Sequence, residues 1–145
     1  LRDGEAWVFE DVRLDRLLHQ AAELYEPLAE ARGAALIVEA DEAVTILGVR
    51  TLLQRALTNL VDNAVKHSPP GGRIVLKAWR EADGCALSVS DQGPGFDPAA
   101  PRPAEGVESH GMGLPFVRAV VQRHRGRLTI DDAVPGAVVT ARFYR

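Results

Sequence analysis

The chain has 145 residues, 46% of them apolar and 26% charged, with a net charge of −3. That length fits one domain, which buries roughly 68–70% of the surface its unfolded chain exposes, and the charge balance favours neither nucleic acid nor an anionic membrane as partner. A single cysteine, Cys85, excludes an internal disulfide, and no apolar run approaches the ~20 residues needed to cross a bilayer.

Trp7 to Glu10 reads as a short strand. Asp11 can cap a helix over Val12 to Arg32, with Leu14, Leu17, Leu18, Ala21, Leu24, Tyr25 and Leu28 on one face, and Gly33 stops it. Ala35 to Ala40 reads as a strand, and Val44 to Leu47 as a second short extended piece. A helix follows over Arg50 to His67, ended by Ser68-Pro69-Pro70-Gly71-Gly72. Arg73 to Glu81 and Cys85 to Asp91 form a hairpin around Ala82-Asp83-Gly84. In that strand Cys85 reads as a buried, inert thiol.

Gln92 to His110 is rich in Gly, Pro and Ala without periodicity, which marks a surface loop. A helix begins at Gly113 or Leu114 with Pro115 in its first turn, places Leu114, Val117, Val120, Val121 and His124 inward, and ends at Gly126. Arg127 to Ile130 and Ala137 to Tyr144 make a closing hairpin around Asp131 to Gly136. Helices alternate with antiparallel hairpins whose strands are apolar mainly on one face. The expected architecture is therefore a two-layer α/β sandwich, with one mixed, mostly antiparallel sheet and three helices on one side.

Three segments carry chemistry. The first is Asn59-x-x-x-Asn63-x-x-Lys66-His67. Asparagine is a poor helix former, yet two stand one turn apart beside the apolar stripe Leu53, Leu57, Leu60 and Ala64. Amide oxygens are sound Mg²⁺ ligands, Lys66 could meet a phosphate, and the His67 ring could pack on a purine or ribose. A helix with a solvated edge has the same pattern. The second segment is Asp91-Gln92-Gly93-Pro94-Gly95. Leu87, Val89 and Asp91 share one strand face, so Asp91 lies at the mouth of any core that Leu87 and Val89 enter. A carboxylate there needs a donor, for which the amine of adenine is suited, although a plain turn also begins with Asp. The third is His110-Gly111-Met112-Gly113-Leu114, where a glycine turn at a helix start offers amides to phosphate, or is simply a loop-to-helix junction.

In their order and spacing these segments resemble the ATP-binding catalytic domain of bacterial sensor histidine kinases, within the ATPase/kinase fold shared with gyrase, Hsp90 and MutL. Leu57 to Pro69 is similar to that family's N box, Asp91 to Phe96 to its G1 box, Gly111 to Leu114 to its G2 box, and Leu14 to Arg32 to its first helix. The resemblance implies a Bergerat-type fold that binds Mg·ATP. It implies that Asn63 holds Mg²⁺ and through it the phosphates, with Asn59 as a supporting polar group. Lys66 would touch phosphate, sharing the catalytic role with Asn63, and His67 would flank the nucleotide where Tyr is common. Asp91 would read adenine, Gly93 and Gly95 would shape the base pocket, and Gly111, Met112, Gly113 and Leu114 the phosphate lid. The sequence departs from the pattern in its lid. The stretch from Asp91 to Gly111 is short, Phe96 stands alone, and Ser109 occupies the place of an earlier glycine.

In the hydrolysing relatives the Asn59 position is a water-activating glutamate. An amide cannot take a proton at neutral pH, so transfer of the γ-phosphate to a supplied acceptor is favoured over hydrolysis. None of His19, His67, His110 and His124 sits in a His-Glu/Asp-x-x-Thr/Asn-Pro setting. His19 reads as a surface or boundary residue and His124 as a partly buried helix residue. The resemblance places the accepting histidine upstream of Leu1, on a dimeric helical hairpin, with a response-regulator receiver domain as further partner. The expectation is a single catalytic domain over residues 1–145, cut from a longer protein because it starts at Leu1 and not Met, and cytoplasmic in a parent that can be anchored in the inner membrane. Two alternatives stand beside it. One is a serine kinase of the anti-sigma-factor type, which usually carries Glu at the Asn59 position. The other is a degenerate module that binds nucleotide or a partner without transfer.

Overall fold

The computed structural model describes residues 8–92, 114–132 and 136–144. In chain order they form β1 (Glu10–Arg13), α1 (Leu14–Ala31), β2 (Ala35–Ala40), β3 (Thr45–Gly48), α2 (Arg50–His67), β4 (Arg73–Glu81), β5 (Gly84–Asp91), α3 (Leu114–Arg123), β6 (Arg127–Asp132) and β7 (Ala137–Tyr144). Five strands make a mixed sheet in the order β2-β4-β5-β7-β6, in which β2 runs parallel to β4 and every other pair is antiparallel. β1 and β3 form a separate two-stranded antiparallel sheet, so the extended residues divide between two sheets and not one.

Alternation decides which face of the large sheet the helices cover. Ile74, Leu76 and Ala78 of β4, Cys85, Leu87 and Val89 of β5, and Val139, Ala141 and Phe143 of β7 are buried in the core together with the inner faces of all three helices. The opposite face keeps polar order. The Trp79 indole N–H donates to Glu81 at 3.1 Å, and the Arg142 Nε donates to the same carboxylate at 3.2 Å. Cys85 is buried and reduced, as its strand setting predicts. Among the described residues no helix is long and apolar enough to cross a membrane.

The N-terminal region differs from its expected layout. The first strand lies at Glu10–Arg13 instead of Trp7 to Glu10, and the helix starts at Leu14 with Arg13, not Asp11, as the preceding residue. Pairing with β3 is the cause. Val12 sits opposite Ile46 and is fully buried, which extended backbone achieves and a first helical turn there would not. On α1, Leu14, Leu17, Leu18 and Ala21 are buried as expected, but Leu24 is 66% and Leu28 39% exposed, while Ala29 is buried. In its second half the buried stripe passes through Tyr25 and the small Ala29, where α1 lies against α2. β6 extends two residues beyond its expected end, to Asp132, because Asp131 and Asp132 stay in register with Val138 and Ala137.

Asp15, in the first turn of α1, ties three segments together. It accepts from Arg13 Nε at 2.9 Å and Nη2 at 2.7 Å, and from the Ala43 amide at 3.3 Å. The Arg13 hydrogen bonds outweigh burial, and with the Ala43 amide they hold the Asp15 carboxyl below its ordinary range. A folded-state value below the unfolded one, which is about 3.9, contributes stability that is present above the unfolded value. That contribution is lost as pH falls through the folded one. The Asp15→Asn variant is therefore expected to lose stability at neutral pH and to show a shallower acid-induced fall in urea midpoint than the parent chain. Parallel pH profiles for the two proteins would contradict this.

Candidate functional site

The site is built on α2, whose sequence meets two demands. Leu53, Ala56, Leu57, Leu60, Val61, Ala64 and Val65 are buried and fix the helix between α1, α3 and the sheet. Its remaining edge carries Arg55, Asn59, Asn63, Lys66 and His67, at spacings of three and four residues that place them along one side. Asn59 and Asn63 are half-buried, and neither side chain hydrogen-bonds to any described residue. Two uncharged oxygens one turn apart, without a partner among the described residues, suit Mg²⁺, which takes oxygen donors and keeps several waters. Among the described residues no group of three or more His, Cys, Asp and Glu could hold a metal.

The C-terminal end of α2 is electrostatically finished from α1. Arg32 donates its Nε to the Val65 carbonyl at 3.0 Å and its Nη2 to the Lys66 carbonyl at 2.7 Å, which occupies two orphan acceptors at the negative end of the helix dipole. Lys66 is itself engaged, with Nζ 3.0 Å from Asp62 Oδ2. Burial pushes the Tyr25 phenol pKa up, and the negative charge of Asp62 beside it adds to the shift. The ammonium of the stripe is thus shared with an acid that the motif reading had not singled out. His67 is exposed at the last turn.

The second motif segment lies at the end of β5. Leu87 and Val89 enter the core, and Asp91, the last residue of the strand, is half-buried on their face, at the mouth as alternation predicts. The Arg73 amide donates to Gln92 Oε1 at 2.8 Å. Gly136 (φ 109°) lies so close that a Cβ there would come within 1.9 Å of the Asp91 carbonyl oxygen. The sequence reading saw Gly136 only as part of a turn. Gly136→Ala meets both a left-handed backbone and that carbonyl, and is expected to lose about 2–3 kcal/mol of stability and to displace Asp91. Urea denaturation and the amide chemical shifts around Asp91 would measure both, and shifts there matching the parent chain would refute the link.

Gly93, Gly95, Gly111, Met112 and Gly113 lie outside the described residues, as does nearly all of the expected loop. Leu114 opens α3 and is half-buried against the core. Val117, Val120 and Val121 are buried as the helical spacing requires.

His19 is exposed, whereas His124 is buried just past α3. Its Nε2 accepts the Val49 amide at 3.0 Å and its Nδ1 is 2.7 Å from the Val120 carbonyl, the pattern of a neutral ring carrying its proton on Nδ1. Val49 is the residue before α2, and its N–H is one of the donors a helix start leaves unpaired. His124 therefore braces the beginning of the site helix from the end of α3. The same cleft edge carries Arg55, whose guanidinium lies 5.5 Å from the centroid of the Phe116 ring on α3.

The family model described as histidine kinase-, DNA gyrase B-, and HSP90-like ATPase matches residues 48–144. The phosphate regulon sensor protein PhoR of Pseudomonas aeruginosa is 37% identical over 137 residues, an alignment covering 86% of this chain and 31% of the relative. The chain thus spans about a third of the length of that relative. Among solved structures, the mycobacterial sensor histidine kinase MprB superposes with a TM-score of 0.76 at 28% identity, covering 94% of this chain and 97% of that one. Full-length ShkA in complex with AMPPNP gives a TM-score of 0.80 at 26% identity, covering 97% of this chain and 32% of that one. The sandwich is accordingly that of an ATP-binding domain of the sensor histidine kinase type, and the chain belongs to the histidine kinase-, DNA gyrase B-, and HSP90-like ATPase family.

Proposed function

We propose that this chain is the catalytic part of a longer sensor kinase, that it binds Mg·ATP between α2 and the end of β5, and that it transfers the γ-phosphate to a histidine on an upstream dimeric helical hairpin. The observation that carries the reading is the pair of half-buried amides of Asn59 and Asn63, one turn apart on α2 and without a hydrogen-bond partner among the described residues. The AMPPNP complex of ShkA agrees with an ATP-shaped ligand.

In this reading Asn63 holds the metal, Asn59 supports the phosphates one turn away, and Asp91 accepts from the adenine amine. Lys66 reaches phosphate when it leaves Asp62, and His67 flanks the nucleotide. Gly93, Gly95 and Gly111 to Leu114 are the further nucleotide-binding residues of this reading. Bound Mg²⁺ supplies charge neutralisation and orientation of the phosphate oxygens. Asn59 cannot remove a proton from water, so the site favours a nucleophile brought to it. The acceptor imidazole forms the new P–N bond as the bond from the γ-phosphorus to the bridging oxygen breaks. ADP leaves with that electron pair, and the imidazole loses its proton.

Calorimetric titration of the chain with Mg·ATP, for the parent, Asn63→Ala and Asp91→Asn, tests binding. Transfer is tested with labelled ATP on the longer kinase that includes the helical hairpin. Label on protein that survives base and is lost in acid supports histidine, and the opposite stability would move the assignment to serine. No binding by the parent chain, or equal binding by all three proteins, would overturn the reading.

A further inference from the structure

We infer that Arg55 is a specificity-determining residue of this site, held by the Phe116 ring to receive the terminal phosphate of a nucleoside triphosphate; the inference rests on the ATP-binding reading above. Arg55 stands one turn before Asn59 on α2 and lines, with Gln54, Thr58 and Asn59, an open cleft of about 300 Å³. It is exposed and makes no ion pair with a described residue, although Arg13, Arg50, Lys66, Lys77 and Arg142 all do. Its partner among the described residues is the half-buried Phe116, in the first turn of α3. Stacking a guanidinium on a ring fixes its plane and leaves its N–H edges free for a planar or tetrahedral anion.

Two further facts set the direction in which the phosphates run. Lys66 is shared with Asp62, which leaves it for one phosphate at most, and the backbone end beside it is the negative end of α2, already capped by Arg32. Negative charge is better placed toward the helix N-terminus. From Asn63 that direction leads past Asn59 to Arg55, with neighbours about 5–6 Å apart. An arginine at the far end of this ladder meets the γ-phosphate and has no partner in a diphosphate. The stack also joins the site helix to the helix that follows the glycine segment, so occupation by triphosphate and the position of α3 are linked through one side chain.

The test is calorimetric titration of the chain with Mg·ATP and with Mg·ADP, for the parent, Arg55→Ala and Phe116→Leu. Arg55→Ala is expected to weaken ATP about tenfold, the effect of removing charge-assisted hydrogen bonds, with ADP affinity held within about twofold. Phe116→Leu keeps the charge and loses the ring, and is expected to reduce the ATP/ADP ratio about threefold. Should the alanine variant fail to fold, Arg55→Gln keeps the length of the side chain and is expected to show the same selective loss. If Arg55→Ala weakens ATP and ADP equally, or neither, the inference fails while ATP binding stands. If Phe116→Leu keeps the parent ratio, the role of the ring fails. A parent chain that binds neither nucleotide overturns the ATP reading itself, and this one with it.

Discussion

Asn63→Ala is expected to abolish magnesium-dependent nucleotide binding while leaving the fold as stable as before or slightly more so. The two halves of this expectation have separate causes. Asn63 makes no hydrogen bond to a described residue, so its removal strands no buried partner. Alanine is also the better helix former by roughly 0.6 kcal/mol at an interior position. The flanking Leu60 and Ala64, which pack α2 into the core, are untouched. Function responds in the opposite sense. Metal-ion stabilisation of phosphoryl charge is worth several kcal/mol, and ~3 kcal/mol corresponds to a loss of more than about 100-fold. Asn59→Ala is expected to cost less, about tenfold, because it removes a supporting dipole and not the ligand. Thermal unfolding measures the first half, and titration with ATP in magnesium and in chelator measures the second. An Asn63→Ala chain that binds Mg·ATP within threefold of its parent would remove Asn63 from the metal site.

His124→Ala is expected to be the most destabilising change that touches no nucleotide-facing side chain, at about 3 kcal/mol or more. It strands the buried Val49 amide, a loss of about 1–3 kcal/mol. It also opens a cavity where the ring now meets Phe143, with centroids 6.2 Å apart, and Phe9, at 5.9 Å. Gly48 shares the space, since a Cβ there would lie 2.8 Å from both His124 Cδ2 and Leu53 Cδ1. Gly48→Ala alone is expected to cost about 1–3 kcal/mol through overpacking. The double variant should lose less than the sum of the two, because the small residue at 124 makes room for the new methyl. Urea denaturation of the four proteins yields the coupling. Strict additivity would show that residues 48 and 124 do not share a packed site. Faster amide exchange at Val49 in His124→Ala would locate the damage at the start of α2, the helix that carries both asparagines.

Local pattern made the central elements legible. α2 runs over Arg50–His67 as its leucine spacing and the Ser68-Pro69-Pro70 breakers require, and β4 and β5 flank the Ala82-Asp83 turn. Asn59, Asn63 and Asp91 could be singled out because each breaks a local rule. Two are poor helix formers in an apolar helix, and the third is a carboxylate in step with core residues. The errors fell where a distant partner decides. Val12 is a strand residue because Ile46 pairs with it, and Leu24 is exposed because α2 meets Tyr25 and Ala29 instead.

The two-layer architecture and the polar residues came from periodicity and spacing within each element, and the resemblance to the family came from the order of three motif segments along the chain. Tertiary structure alone decided what those residues touch. The Val49–His124 contact spans 75 positions, Arg55 finds Phe116 on another helix, Gly136 presses on Asp91, and Tyr25 of α1 lies beside Asp62 of α2. No periodicity within one segment encodes such pairs, because they exist only once packing of the shared core has fixed the helices against the sheet and one another.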